Sequence, residues 1–315
     1  MIKLLIQRLL QAGFVAWAVG TLTFFMMRFL PGDMAYRIAA SRYGYDFVNT
    51  ETAQAVSAEL GLDRGGLEQY VDWFGQLLQL NLGKSLVSGE AVTTQVMQHL
   101  GYSLILALCA LGLSLLIAFP LGVYCGRHPN SWVDRLTLTL SVLFRSTPVF
   151  VFGLLAIIVF ALQLGWLPVS GFGEPQYVIL PSLALALTLA ALSNQMVRQE
   201  ALTVYSSAYL RFARYKGLSE QQAYQRHAQP NIALPVIAFL GVQAVGLIEG
   251  IVMVESLFSW PGIGHALSHA IFARDIPVIQ GAALLMGLLF VLINALVDLL
   301  QYQLDPRIRQ ERVTQ

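Results

Sequence analysis

Charge is what this chain has least of. Nineteen basic and 18 acidic residues make up only 12% of its 315 positions, against ~25% in soluble domains. With 56% apolar residues and a mean hydropathy of +0.63, too little polar surface is left to clothe a soluble body. That excludes an ordinary soluble enzyme, a disordered protein and a nucleic-acid binder. A net charge of +1 also sets up no field that draws in polyanions. Cysteine is equally scarce. Cys109 and Cys125 lie in one apolar run, where helical rise would put them ~24 Å apart, beyond the ~7 Å limit of a disulfide. Both read as small buried hydrophobes.

Nucleotide-binding chemistry is missing too. Gly83-Lys84-Ser85 looks like the end of a phosphate-binding loop, but Leu78 stands where that motif needs its first glycine. There is no internal repeat, no low-complexity tract, and no Ser/His or His/Asp/Glu constellation within the apolar runs. No residue reads as catalytic.

Long apolar stretches are present. A membrane helix needs ~20 of them in a row, and six runs qualify: about Leu9–Met27, Tyr102–Tyr124, Leu136–Leu164, Ile179–Met196, Ile232–Val254 and Val278–Leu300. The fold class expected is an all-α integral membrane protein with six transmembrane helices, residues 1–315 forming one transmembrane domain. The first run follows Lys3 and Arg8 but is too long for a signal sequence, so it reads as a retained span. With both termini inside, twelve Lys/Arg fall on inner segments and six on outer ones, as the positive-inside rule asks. The one sizeable soluble insert is residues 31–100, on the outside, with helix-like pieces at Thr52–Leu60 and Leu67–Leu80. The longest inner loop is 197–231.

Ionisable residues inside a span are costly and mark function by default. Arg145, Glu249, Glu255 and Asp298 are such residues. Asp298 sits near the inner end of its run and reads as interfacial. Glu249 and Glu255 are six apart, about 120° around a helix, so they do not share a narrow stripe. Arg145, Asn194, Glu249 and Glu255 are candidates to line a path, with Gln195 a weaker one. Pairing of Arg145 with an acidic neighbour is the competing structural reading. His265 and His269, at i and i+4, share a helical face and form at most half a metal site. Only Asp275 stands near as a third donor, so no metal site is assigned.

The inner loop is built rather than slack. Ala208–Lys216 reads as a basic, aromatic helix, and Gly217 as its left-handed terminator. Ser219 with Gln222 three residues on makes a capping box for a second helix through Arg226. Two short helices folded about a glycine suit a docking element for another protein. A helix lying on lipid is the alternative.

The loop resembles the coupling loop of ABC-importer permeases. Arg211-Phe212-Ala213, three residues, Gly217, and then Ile232-Ala233-Leu234-Pro235 follow that pattern. It departs by lacking the leading Glu and Ala and by a longer gap before Ile232. Both departures resemble the oligopeptide/dipeptide/nickel branch, as do Ala213-Arg214-Tyr215-Lys216-Gly217-Leu218-Ser219-Glu220, Arg226-His227 and Asn231. Leu60-Gly61-Leu62-Asp63, Leu164-Gly165-Trp166-Leu167-Pro168, Glu255 through Gly264, Arg274-Asp275-Ile276-Pro277 and Leu304-Asp305-Pro306-Arg307 are similar to that branch in the same order.

The resemblance implies an ABC type I importer transmembrane domain. Its partners would be a second homologous permease subunit, two cytoplasmic ATPase subunits that bind the ATP and Mg, an extracytoplasmic substrate-binding protein and the membrane lipid. Arg211, Ala213, Arg214, Lys216, Gly217 and Leu218 would form the ATPase-coupling loop. Trp260, Pro261, Gly262 and Gly264 would shape an outer loop near the path or the binding protein. Cargo would be peptides or nickel and other metal chelates. A self-contained secondary transporter or channel is the alternative outside the family.

Overall fold

In this computed structural model, residues 2–29, 31–61 and 65–304 are described. They are helical apart from short connections and one isolated bridge between Lys84 and Ala91. The chain divides into two compact units, Met1–Ser103 with Pro261–Val291, and Leu104–Trp260 with Leu292–Gln315.

The first unit holds α1 (Ile2–Phe29), α2 (Met34–Tyr43), α3 (Thr50–Leu60), α4 (Gly66–Leu78), the start of α5 (Val92–Arg127), α12 (Ile263–Ala273) and most of α13 (Ile276–Leu304). The expected outer helices appear as α3 and α4, and α2 joins them. Asp33 caps α2 by accepting from the Tyr36 N–H. Asn49 and Thr52 cap α3 reciprocally, and Gly61 ends it in the left-handed conformation. α4 lays Tyr70 and Trp73 on Phe24 of α1, with ring centroids 5.4 and 6.0 Å apart. Gly20 allows that contact, because a Cβ there would lie 2.4 Å from the Trp73 ring. A core of Met27, Val92, Val96, Ile263, Ala270, Val278, Ile279 and Ala282 joins the helix ends.

The second unit holds the rest of α5, α6 (Trp132–Ser146), α7 (Val149–Ala156), α8 (Ile179–Ser206), α9 (Ala208–Tyr215), α10 (Glu220–Ala223), α11 (Gln229–Leu257) and the end of α13. α8 is its hub, packed against α6, α7 and α11. Gly122 and Gly126 of α5 sit directly on Val197 and Ala201 of α8, a small-xxx-small contact that brings two backbones together. Cys125 is buried in this unit, whereas Cys109 is exposed on α5, so only one of the two cysteines is the buried hydrophobe expected.

Five described helices are long and apolar enough to cross a membrane, and a bent pair makes a sixth if it counts as one span. That pair covers the run expected at Leu136–Leu164, which is sharply bent. α6 and α7 meet at 104°. Pro148 has no N–H to donate, and its ring keeps Thr147 out of the helical region (φ −102°, ψ 131°). α7 then widens into a π turn over Ile157–Gln163.

Candidate functional site

The segment between α8 and α11 folds back on itself through α9 and α10. α9 buries Ala213, and its Leu210 joins a buried cluster with Val204, Ala223, Ala228 and Ile232. Its other face exposes Tyr209, Phe212 (58%) and Tyr215 (86%), and Lys216 Nζ lies 4.8 Å from the centre of the Phe212 ring. The helix ends in a Schellman motif: Gly217 N–H donates to Arg214 O (3.0 Å) and Leu218 N–H to Ala213 O (3.3 Å). Gly217 has φ +89°, and a Cβ there would meet nothing within 4 Å. Its requirement is therefore conformational and not a matter of space.

The expected capping box is present. Gln222 N–H donates to Ser219 Oγ (3.3 Å), and Ser219 N–H to Gln222 Oε1 (3.1 Å). The second helix of the expected hairpin is not a separate short helix, however. α10 passes through a π turn at Tyr224–Ala228 directly into α11, because nothing between Glu220 and Gln229 breaks the backbone pattern. The handle is therefore α9 folded about Gly217 onto the extended start of α11.

Two residues that the sequence reading gave no role in the site complete it. Glu220 Oε1 accepts from Arg214 (2.9 Å) and from Arg127 at the end of α5. All three side chains are about half exposed, so each pair is worth little by itself. Their effect is to locate α5, α9 and α10 around a cleft of about 280 Å³ that Arg211, His128 and Tyr205 also line. The signal available beforehand was, for Arg127, a basic residue just past an apolar run and, for Glu220, its place beside the cap residue Ser219.

Above the handle, Asp134 is 1% exposed. It accepts from Arg198 Nε (2.5 Å) and Nη2 (2.9 Å) and from the Asn130 N–H (2.8 Å). This forked pair ties the first turn of α6 to α8. Asn194, one turn away on α8, is buried, and its Oδ1 has no partner among the described residues. Gln243 of α11 reaches α8 through Ser193 Oγ (2.5 Å) and Leu189 O (3.3 Å). Arg145 is exposed in the last turn of α6. It takes no part in an ion pair or hydrogen bond among the described residues. Glu255 is fully buried. The side chain of Glu249 lies outside the described residues, as do Asp305, Pro306 and Arg307 of the C-terminal motif and Leu62-Asp63 of the outer one.

The outer segment divides between the units. Trp260, in the second, is buried edge-on against Phe172 with centroids 5.2 Å apart, and its N–H donates to Glu255 O (2.9 Å). Pro261 onward belongs to the first unit. There His99 Nδ1 lies 2.6 Å from Pro261 O, Gly262 caps α12, and Gly264 is buried behind it.

His265 and His269 do meet, with ring centroids 4.5 Å apart. Burial first, then His269 and His99, hold the His265 imidazole below its ordinary pKa. Both carboxylate oxygens of Asp275 are engaged elsewhere. They accept from Ser85 Oγ and from the Leu86 (3.0 Å) and Val87 (3.4 Å) N–H groups. Among the described residues no three His, Cys, Asp or Glu gather as a metal site.

The helices of this chain are long and apolar enough for a membrane protein, and comparison with known proteins specifies its class. The family described as binding-protein-dependent transport system inner membrane component matches residues 118–310, and the chain belongs to it. It is thus a multi-pass inner-membrane permease component of an ABC importer, a class that works with ATPase and binding-protein partners. Among its relatives is a candidate peptide transport system permease of Brucella abortus (strain 2308), 36% identical over 99% of this chain and 100% of that one. The glutathione transport system permease GsiC of Escherichia coli (strain K12) is 34% identical over 98% and 99%. A crystal structure of an amino acid ABC transporter with histidines shares the fold, with a TM-score of 0.52 and 17% identity over 67% of this chain and 94% of that one.

Proposed function

We propose that this chain is one permease subunit of an ATP-driven importer of short peptides. The observation that carries the reading is end-to-end likeness to permeases named for peptide and glutathione transport. Peptides are favoured over nickel chelates on the same ground. A second homologous permease completes the translocation path, two cytoplasmic ATPases supply ATP and Mg chemistry, and an extracytoplasmic binding protein delivers cargo. Both termini face the cytoplasm, residues 31–100 are extracytoplasmic and residues 197–231 are cytoplasmic, as the distribution of basic residues asks.

In this reading the α9 face of Tyr209, Phe212 and Tyr215 seats in the ATPase. Arg211, Arg214 and Lys216 lie along its rim, while Ala213, Gly217 and Leu218 keep the handle rigid. Closure of the ATPases draws the handle inward, and α11, continuous with it, carries the motion into the membrane. Such a rigid link is what a bistable, alternating-access element needs. Arg145, Asn194, Glu249 and Glu255 are the residues proposed to face the path.

The test is to tag the chain, crosslink it in its native membrane and identify what copurifies, then to measure ATP-dependent uptake of labelled di- to pentapeptides by the reconstituted complex. Recovery of a second permease and P-loop ATPases with saturable peptide uptake is expected. Recovery of the chain alone, or uptake of nickel chelates but no peptide, would refute the assembly or the cargo respectively.

A further inference from the structure

We propose that Arg145 is the specificity-determining cation of the path, binding the C-terminal carboxylate of a peptide in transit. The inference rests on the peptide-importer reading and deepens it.

Arg145 stands in the middle of the bent pair α6–α7. Leu140, Val142 and Leu143 precede it, and Val149, Phe150 and Val151 follow the break. Its direction is settled by the spacing along α6. Positions 134, 141 and 145 differ by seven and eleven, so at ~100° per residue they fall within ~20° of one line on the helix. Asp134 and Ser141 are buried, and Asp134 grips Arg198 of α8. Arg145 therefore continues the α8-facing seam. The exposed Leu136, Leu140 and Leu143 fall ~180–240° around the helix from that line, on the opposite face.

Arg145 is nonetheless exposed, and the chain turns by 104° two residues later. The neighbouring hydroxyls do not neutralise it: Ser146 Oγ (3.1 Å) and Thr147 Oγ1 (2.9 Å) both donate back to Leu143 O. The other cation of the seam, Arg198, is already paired with Asp134.

A full charge is retained in an apolar span where it lines water or meets an opposite charge. A carboxylate is the counter-group whose two oxygens match the guanidinium fork, and every linear peptide carries one at its C-terminus whatever its side chains. An acidic side chain on the partner permease is the competing claimant.

The experiment compares the complete reconstituted complex carrying wild-type chain, Arg145→Gln or Arg145→Lys. ATP-dependent uptake is measured for one neutral peptide as the free acid and as the C-terminal amide, each loaded on the binding protein to matched occupancy. Arg145→Gln is expected to lower free-acid uptake about tenfold or more, the weight of a charge-assisted hydrogen bond. Amide uptake should fall by a much smaller factor, and Arg145→Lys should restore part of the free-acid loss. An equal loss for both peptides would overturn the proposal in favour of a permease–permease ion pair, and no loss for either would overturn it outright. If the wild-type complex carries neither peptide, the peptide reading fails. If it carries both and Arg145→Gln is indifferent, only this inference does.

Discussion

Gly126 of α5 is expected to be the least replaceable glycine in its helix, and the structure supplies the size of the effect. A Cβ at Gly126 would lie 2.5 Å from Ala201 Cβ, 2.7 Å from Arg198 O and 2.9 Å from Leu202 N. Two of those atoms are backbone and the third is a Cβ, so no rotamer change can relieve the clash. Carbon atoms rest ~3.5–4.0 Å apart, so α5 and α8 must part by about 1 Å. Overpacking of this kind costs about 1–3 kcal/mol, against about 1 kcal/mol returned by alanine's better helix propensity. Gly126→Ala should therefore destabilise by up to about 2 kcal/mol. Gly112, on the same helix, has nothing within 4 Å of its Cβ position. Gly112→Ala keeps the propensity gain without the clash and should be neutral or stabilised by up to about 1 kcal/mol. Thermal unfolding of the purified chain in detergent, followed by tryptophan fluorescence, separates the two. If both variants melt together with the wild type, the close α5–α8 contact is wrong.

Two further outcomes follow from the inner half. Asp134→Ala leaves the Arg198 guanidinium, 18% exposed, without its forked partner. It should cost about 3–5 kcal/mol, much of it recovered in the double variant Asp134→Ala/Arg198→Met, and equal melting of single and double variants would argue against a buried pair. Gly217→Ala should cost about 1–2 kcal/mol locally through its positive φ and reduce binding-protein-stimulated ATP turnover of the assembled complex while assembly itself persists. Turnover indistinguishable from wild type would show that the geometry of the handle is not transmitted.

Helicity and several helix ends were legible in the residues because neighbours within about four positions decide them. Apolar runs marked the helices. Ser219 and Gln222 marked a cap and Gly217 a terminator, and each is found where its local chemistry put it. The α2 helix was not foreseen because its run is short and mixed in character, with Asp33 as the only clear start signal.

What lies between distant residues was decided only by the tertiary structure. Pro148 was visible, but not that the chain would turn 104° there, since many membrane helices absorb a proline. Asp134 and Arg198 are 64 positions apart, and no local rule pairs them. Glu255 was legible as an intramembrane acid but not as a fully buried one, and Cys109 and Cys125 looked alike until their faces of α5 were known. The reason is common to all of these. A residue's own neighbours determine whether it is helical, whereas the side its chain faces, and hence whether a charge is paired, buried or open, is set by which helices pack against it.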